Sequence, residues 1–194
     1  MTKAIRERNR ITLATLELAK DKNFIRLPEE ERLHLTEEVL KIGDEVAAFV
    51  ISKYGTSDPR SIAEKMGVKI FGAEAGQGKS SEYRRSTGEI VIFRNKLDHL
   101  TKEVTLPDLS DRILRFLIAH ELFHHLEETQ IGLVYRRFAF PGPLWTKRYI
   151  KGTSEVAAQA FTQTLLKLEF SPQVFDYLTY ILFTSACLPA GFKS

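Results

Sequence analysis

Three histidines and a glutamate fall within six consecutive residues, His120-Glu121-Leu122-Phe123-His124-His125. The first five satisfy H-E-x-x-H, a pattern whose chemistry depends on helical spacing. On a helix, His120 and His124 stand one turn apart and point the same way, so both imidazoles can reach one Zn²⁺ at ~2.0–2.1 Å. Glu121 is turned ~100° from His120. It can lie beside the metal without ligating it and take a proton from a water the metal polarises. Ile113, Leu117, His120 and His124 share a ~60° arc, which turns both imidazoles toward the interior. Buried imidazoles need partners, and a cation supplies one. His125 points ~100° away from His124 and reads as a packing residue or a support for a ligand.

A zinc site with an open catalytic position takes three protein ligands. Glu128 lies ~12 Å along the same helix from His120, too far to complete the set. The third ligand must therefore come from another element. Glu155, at the start of the alanine-rich stretch Thr153-Ser-Glu-Val-Ala-Ala-Gln-Ala-Phe161, is one candidate, although an ordinary first-turn glutamate explains it equally well. His99 is the rival. His34, among Glu and Arg residues, reads as a surface side chain.

Helices and a small sheet must position these groups. Leu13, Leu16 and Ala19 recur at helical spacing. A second helix is expected from Pro28, opening on Glu29-Glu30-Glu31 and turning Leu33, Leu40, Val46, Phe49 and Val50 inward. Asp58 before Pro59 is an N-cap followed by a proline at the first helical position, and Gly67 ends the short helix they open. Val68–Phe71 reads as a strand. Ser81–Arg85 and Glu89–Phe93, joined through Ser86-Thr87-Gly88, read as a hairpin, so a small antiparallel sheet is expected. Ser110 caps the motif helix, which runs to about Glu128. Further helices are expected after Thr153 or Ser154 and after Ser171-Pro172.

Composition excludes several classes. The chain has 28 Lys+Arg against 25 Asp+Glu, a balance that does not favour nucleic acid as a direct partner. Its single cysteine, Cys187, rules out an internal disulfide framework and fits a reducing cytoplasm. Zinc here must therefore rest on histidine and carboxylate, a ligand set that favours catalytic over structural sites. Glu17 interrupts the apolar residues near the N-terminus, which reads as an amphipathic helix and not as a signal segment. Tyr177–Leu188 is short of the ~20 residues a membrane span needs and is expected to be a buried helix. Ala73-Glu-Ala-Gly-Gln-Gly-Lys79-Ser80 resembles a phosphate loop but is followed by strand-like residues instead of a helix. Ser61–Val68 resembles the start of a helix-turn-helix, with a strand where the recognition helix belongs. Between Thr129 and Ser154 lie five Lys/Arg and no acid, with Tyr135, Phe138, Phe140, Trp145 and Tyr149 interleaved. Such a segment is either a solvated loop with tucked aromatics or a clamp for an extended peptide.

From Pro59 to about Leu168 the chain resembles the ImmA/IrrE-type metallopeptidases. The likeness rests on Ser61-Ile-Ala-Glu-Lys-Met-Gly-Val68, on Gly88-Glu-Ile-Val-Ile-Phe93, on Leu117-Ile-Ala-His-Glu-Leu-Phe-His124 and on Glu155-Val-Ala-Ala-Gln-Ala-Phe161. Gln159 stands where asparagine is frequent in that family, and Phe123 where glycine is. The resemblance implies an α+β, zincin-like metallopeptidase domain, placed at 57–194, and helical spacing reads a separate helical N-terminal segment over 1–56. It implies zinc held by His120, His124 and Glu155, with Glu121 as the general base. The implied activity is regulatory cleavage of a protein such as a helix-turn-helix repressor or an antitoxin, in the cytoplasm of a bacterium. The alternative is a non-catalytic, metal-stabilised module that binds a regulator without cutting it.

Overall fold

A computed structural model describes residues 3–74, 79–94, 108–141 and 146–174. His99, Trp145, Cys187 and the Tyr177–Leu188 stretch lie outside the described residues, as does most of the helix expected after Pro172. The order of elements is α1 (Lys3–Leu18), α2 (Lys22–Ile25), α3 (Glu29–Tyr54), α4 (Pro59–Met66), β1 (Ile70–Ala73), β2 (Ser81–Arg84), β3 (Glu89–Phe93) and α5 (Leu109–Leu126). A π-helical turn (Glu127–Ile131) and a 3₁₀ turn (Val134–Arg136) follow, then β4 (Ala139–Pro141), β5 (Lys147–Tyr149) and α6 (Gly152–Leu165). The architecture is α+β, mostly helical with two small sheets. Among the described residues, no helix is long and apolar enough to cross a membrane.

Local chemistry explains α4. The Asp58 carboxylate accepts from the Ser61 amide at 2.9 Å, Pro59 opens the helix, and Gly67 closes it at φ 72°. The Val68 amide then completes the cap by donating to the Ala63 carbonyl at 2.9 Å. With that amide already engaged, sheet pairing starts later than expected, and β1 is Ile70–Ala73 instead of Val68–Phe71.

The sheet also departs from the antiparallel expectation. The β2–β3 hairpin is antiparallel, with Ser81 opposite Ile92 and Arg84 opposite Glu89, but β1 pairs with β3 in parallel, Ile70 opposite Ile90. The strand order β1-β3-β2 puts the most apolar strand in the middle. Ile90, Val91, Ile92 and Phe93 are all buried, as a strand covered on both faces requires. The polar β2 (Ser-Glu-Tyr-Arg) is left at an edge.

Helix orientation corrects several inward assignments. In α1 the buried residues are Ala14 and Leu18, while Leu16 is exposed. In α3 Leu40, Val46 and Val50 are buried as expected, but Leu33 and Phe49 face outward. The buried stripe of α3 is Leu35, Val39, Leu40, Gly43, Val46, Ala47 and Val50, a narrow seam at i, i+3/i+4 spacing. That seam lies on α6. A Cβ added to Gly43 would meet the Ala157 carbonyl at 2.4 Å and the Ala160 Cβ at 2.6 Å. Alanines on one helix and a glycine on the other therefore set the approach. One hydrophobic cluster extends from Ala14 and Leu18 through Val39, Leu117 and Phe123 to Phe161 and Leu165.

Helix α5 begins at Leu109 behind Asp108, which has φ 65° and makes no side-chain cap bond, so Ser110 is inside the helix and not its cap. Helix α6 begins at Gly152, slightly ahead of expectation, with Thr153 donating its hydroxyl to the Ile150 carbonyl. The basic-aromatic segment forms a two-stranded ribbon, β4 against β5 with Phe140 opposite Arg148. Asn23 donates to the Tyr149 carbonyl at 3.1 Å and ties the ribbon to α2. Phe138 and Phe140 pack partly on the core.

Candidate metal centre

His120 and His124 project from the C-terminal half of α5, and Glu155 projects from the first turn of α6. The two Nε2 atoms lie 3.3 Å apart. Glu155 Oε2 is 3.3 Å from His120 Nε2, and Oε1 is 3.6 Å from His124 Nε2. These three residues are the one group among the described residues able to offer three ligand atoms to a shared cation. Ligands ~2.0–2.1 Å from a tetrahedral zinc lie about 3.3–3.4 Å from one another. The donor set and its spacing therefore fit zinc.

Burial is graded across the group. The imidazole side chains of His120 and His124 are 18% and 20% exposed, and that of Glu155 is 52% exposed. The hydrogen bond with His120 pulls the Glu155 carboxyl down to about 2, against the opposing effect of its own burial and with help from the charge of both imidazoles. It is thus an anion at neutral pH, the state a metal ligand requires.

Glu121 is 6% exposed, and its Oε1 accepts from the Ser81 hydroxyl at 2.7 Å. Ser81 belongs to a ladder between β2 and α5. Two residues along the strand, Tyr83 Oη is 3.1 Å from His125 Nδ1, with the rings edge to face. Two further on, the Arg85 guanidinium meets Glu128 at 2.9 Å. A strand advances about 6.6 Å over two residues and a helix about 6 Å over four, so Ser81–Glu121 and Tyr83–His125 stay in step. Burial pushes the His125 imidazole below its ordinary value, while burial and the Glu128 charge push the Tyr83 phenol up. His125 accordingly packs on the sheet as a neutral ring. Glu128 is committed to Arg85, and His34 is exposed on α3, 3.6 Å from Glu38.

Sequence reasoning missed Ser81, Glu127 and Ser154. Glu127 is 3% exposed and sits at the first position of the π-helical turn. Its Oε2 lies 3.0 Å from His124 Nδ1, and its Oε1 accepts from the Val134 amide at 2.8 Å and the Ser154 hydroxyl at 2.6 Å. A carboxylate three residues after a candidate ligand on one helix is a signal that spacing alone could have raised. Ser81 carries no such local signal, being 40 residues from its partner.

No protein-family model, curated protein or solved structure matches the chain.

Proposed function

We propose that this protein is a zinc-dependent metallopeptidase with a zincin-like catalytic domain of the ImmA/IrrE kind, cutting a regulatory protein such as a helix-turn-helix repressor or an antitoxin. The observation that carries this reading is the three-sided donor set of His120, His124 and Glu155, with Glu121, buried, next after His120 in the sequence. Two imidazoles and one carboxylate suit zinc and leave a fourth position open. Zinc bound there supplies Lewis acidity, which polarises a carbonyl and brings the pKa of a water toward neutrality.

The chain's own residues supply the rest. Glu121, offset by one residue from His120, takes a proton from the attacking water and delivers it to the amide nitrogen as the C–N bond breaks. The products are a carboxylate and an amine. Ser81 fixes the Glu121 carboxylate by donating to Oε1, so the base does not have to be ordered at the moment of reaction. The polar edge strand β2 runs beside that base, and no described strand pairs with its outer side. An extended peptide can add there through main-chain hydrogen bonds, which supports a peptide as the substrate class.

Glu121→Gln tests the reading. The variant keeps its zinc, measured by metal analysis, and loses cleavage of a helix-turn-helix repressor or antitoxin that wild type cuts, followed by mass spectrometry. A positioned general base contributes about 10²–10⁴-fold, so the expected loss is in that range. A variant that inactivates the regulator as well as wild type does would replace proteolysis with the non-catalytic binding reading. A wild-type protein that takes up no zinc would end both.

A further inference from the structure

Three groups converge on Glu127: His124 Nδ1, the Val134 amide and the Ser154 hydroxyl. The residue is almost fully buried. A carboxylate is acceptor-only, so the imidazole must place its proton on Nδ1 to face it. In the neutral ring that choice leaves a lone pair on Nε2, the atom that faces His120 Nε2 and the Glu155 carboxylate. The opposite tautomer would put a proton there. Ser154 directly precedes Glu155 on α6, so the same carboxylate also holds the first turn of the helix that presents the third ligand. Glu127 opens the π-helical turn that ends this helical run before Gly132.

We propose that Glu127 is a positioning residue that sets the tautomer of His124 and joins the two ligand-bearing helices before any metal arrives. The proposal rests on the metal-site reading above. It assigns Glu127 no part in the chemical step. Its role is to leave one imidazole nitrogen free for a cation and to keep the ligands of α5 and α6 at coordination distance.

The amide of Glu127→Gln separates this role from general structural support. Gln has one acceptor oxygen, and two donors, the Val134 amide and the Ser154 hydroxyl, already converge on the Oε1 side. The amide oxygen stays with them and the –NH₂ faces His124 Nδ1, which must then accept, moving the ring proton to Nε2. Two measurements on the full chain read this out. In metal-free protein, at a pH where the imidazoles are neutral, two-bond ¹H–¹⁵N correlation spectra report the tautomer. His124 is expected with its proton on Nδ1 in wild type and on Nε2 in Glu127→Gln. Chelator competition with zinc is expected to show an affinity about 10–100-fold weaker in the variant, the usual cost of losing an orienting partner. Ser154→Ala leaves the His124–Glu127 pair intact and is expected to keep the wild-type tautomer, with a zinc affinity closer to wild type.

A role confined to structural support predicts a lower unfolding midpoint in Glu127→Gln with His124 and zinc affinity unchanged, and that result overturns the proposal. So does a wild-type His124 carrying its proton on Nε2, which needs no variant to fold. If wild type binds no zinc, the metal reading fails on its own, and the tautomer spectra still decide whether Glu127 orients the ring.

Discussion

Helix α6 meets its two main neighbours with opposite chemistry. Toward α3 it presents Ala157, Ala160 and the backbone near Phe161, pressed onto Gly43 so closely that there is no room for a methyl group. Toward α5 it presents Ser154 and Glu155 to Glu127, His120 and His124. On the first side close packing is what matters, and the contact is non-directional. On the second every polar atom needs a partner of the right kind, because a half-satisfied buried network is costlier than an apolar contact. The alanines of α6 bring it close to α3. Residues of the N-terminal segment thus anchor the helix that carries the third ligand, even though none of the candidate ligands lies in that segment.

Zinc provides the largest expected effect and isolates the polar side. A ligand that binds only the folded state stabilises it by about 4 kcal/mol when free ligand is a thousandfold above its dissociation constant. Urea denaturation of wild type with excess zinc and with chelator should differ by about that amount, and the protein should stay folded in chelator because its apolar core needs no metal. In His120→Ala the zinc increment should vanish. An equal increment in that variant would place the stabilising ion elsewhere and dissolve the distinction between the two sides.

Gly43→Ala isolates the apolar side and comes next in size. The new Cβ meets a backbone carbonyl and an alanine methyl, neither of which can swing away, so the helices must separate. Overpacking of this kind costs about 1–3 kcal/mol, occasionally more, and the rigid contacts here place the expected loss toward the upper end. The two sides share no side-chain partner, so the zinc increment should be preserved within about 0.5 kcal/mol. A shrunken increment would mean that α6 shifts as one body, carrying Glu155 away from the histidines.

What could be read beforehand follows the same division. The α4 caps, the β2–β3 hairpin and the inward pair His120 and His124 are set by residues within a few positions of one another, and periodicity or turn chemistry reports such features. On residue grounds alone Glu155 reads equally well as an ordinary first-turn glutamate, and contact across two helices brings it to the histidines. The partnership of Ser81 with Glu121 depends on how β2 lies along α5, and that follows from β3 taking the centre of the sheet. Glu127 was passed over because its side chain reaches Val134 and Ser154 only after the helix widens into a π turn. Leu33 and Phe49, expected inward, face outward for a related reason. Apolar type shows that a residue can be buried, but the approach of a neighbouring helix decides which seam is used.

The smallest expected effect lies off both sides of α6. Asp58 caps α4, accepts from the Ser61 hydroxyl and amide, and faces Arg115 of α5 at 3.4 Å. Burial pushes its carboxyl up, but the Ser61 hydrogen bonds, with Arg115 and Arg60, outweigh that and hold it below its ordinary value of 3.8. A group with a depressed folded-state pKa stabilises the protein above its unfolded value, and that contribution is lost as pH falls through the folded value. Asp58→Ala should therefore cost about 1 kcal/mol at neutral pH, the usual value of an N-cap. In paired urea titrations across pH the gap between wild type and variant should hold from neutral pH down to the ordinary aspartate range and close below it. Zinc affinity should be unchanged throughout the range where the ligands are deprotonated. A variant that loses zinc along with the cap would show that α4 helps to set the pitch of α5, and the metal site would then depend on a third contact besides the two sides of α6.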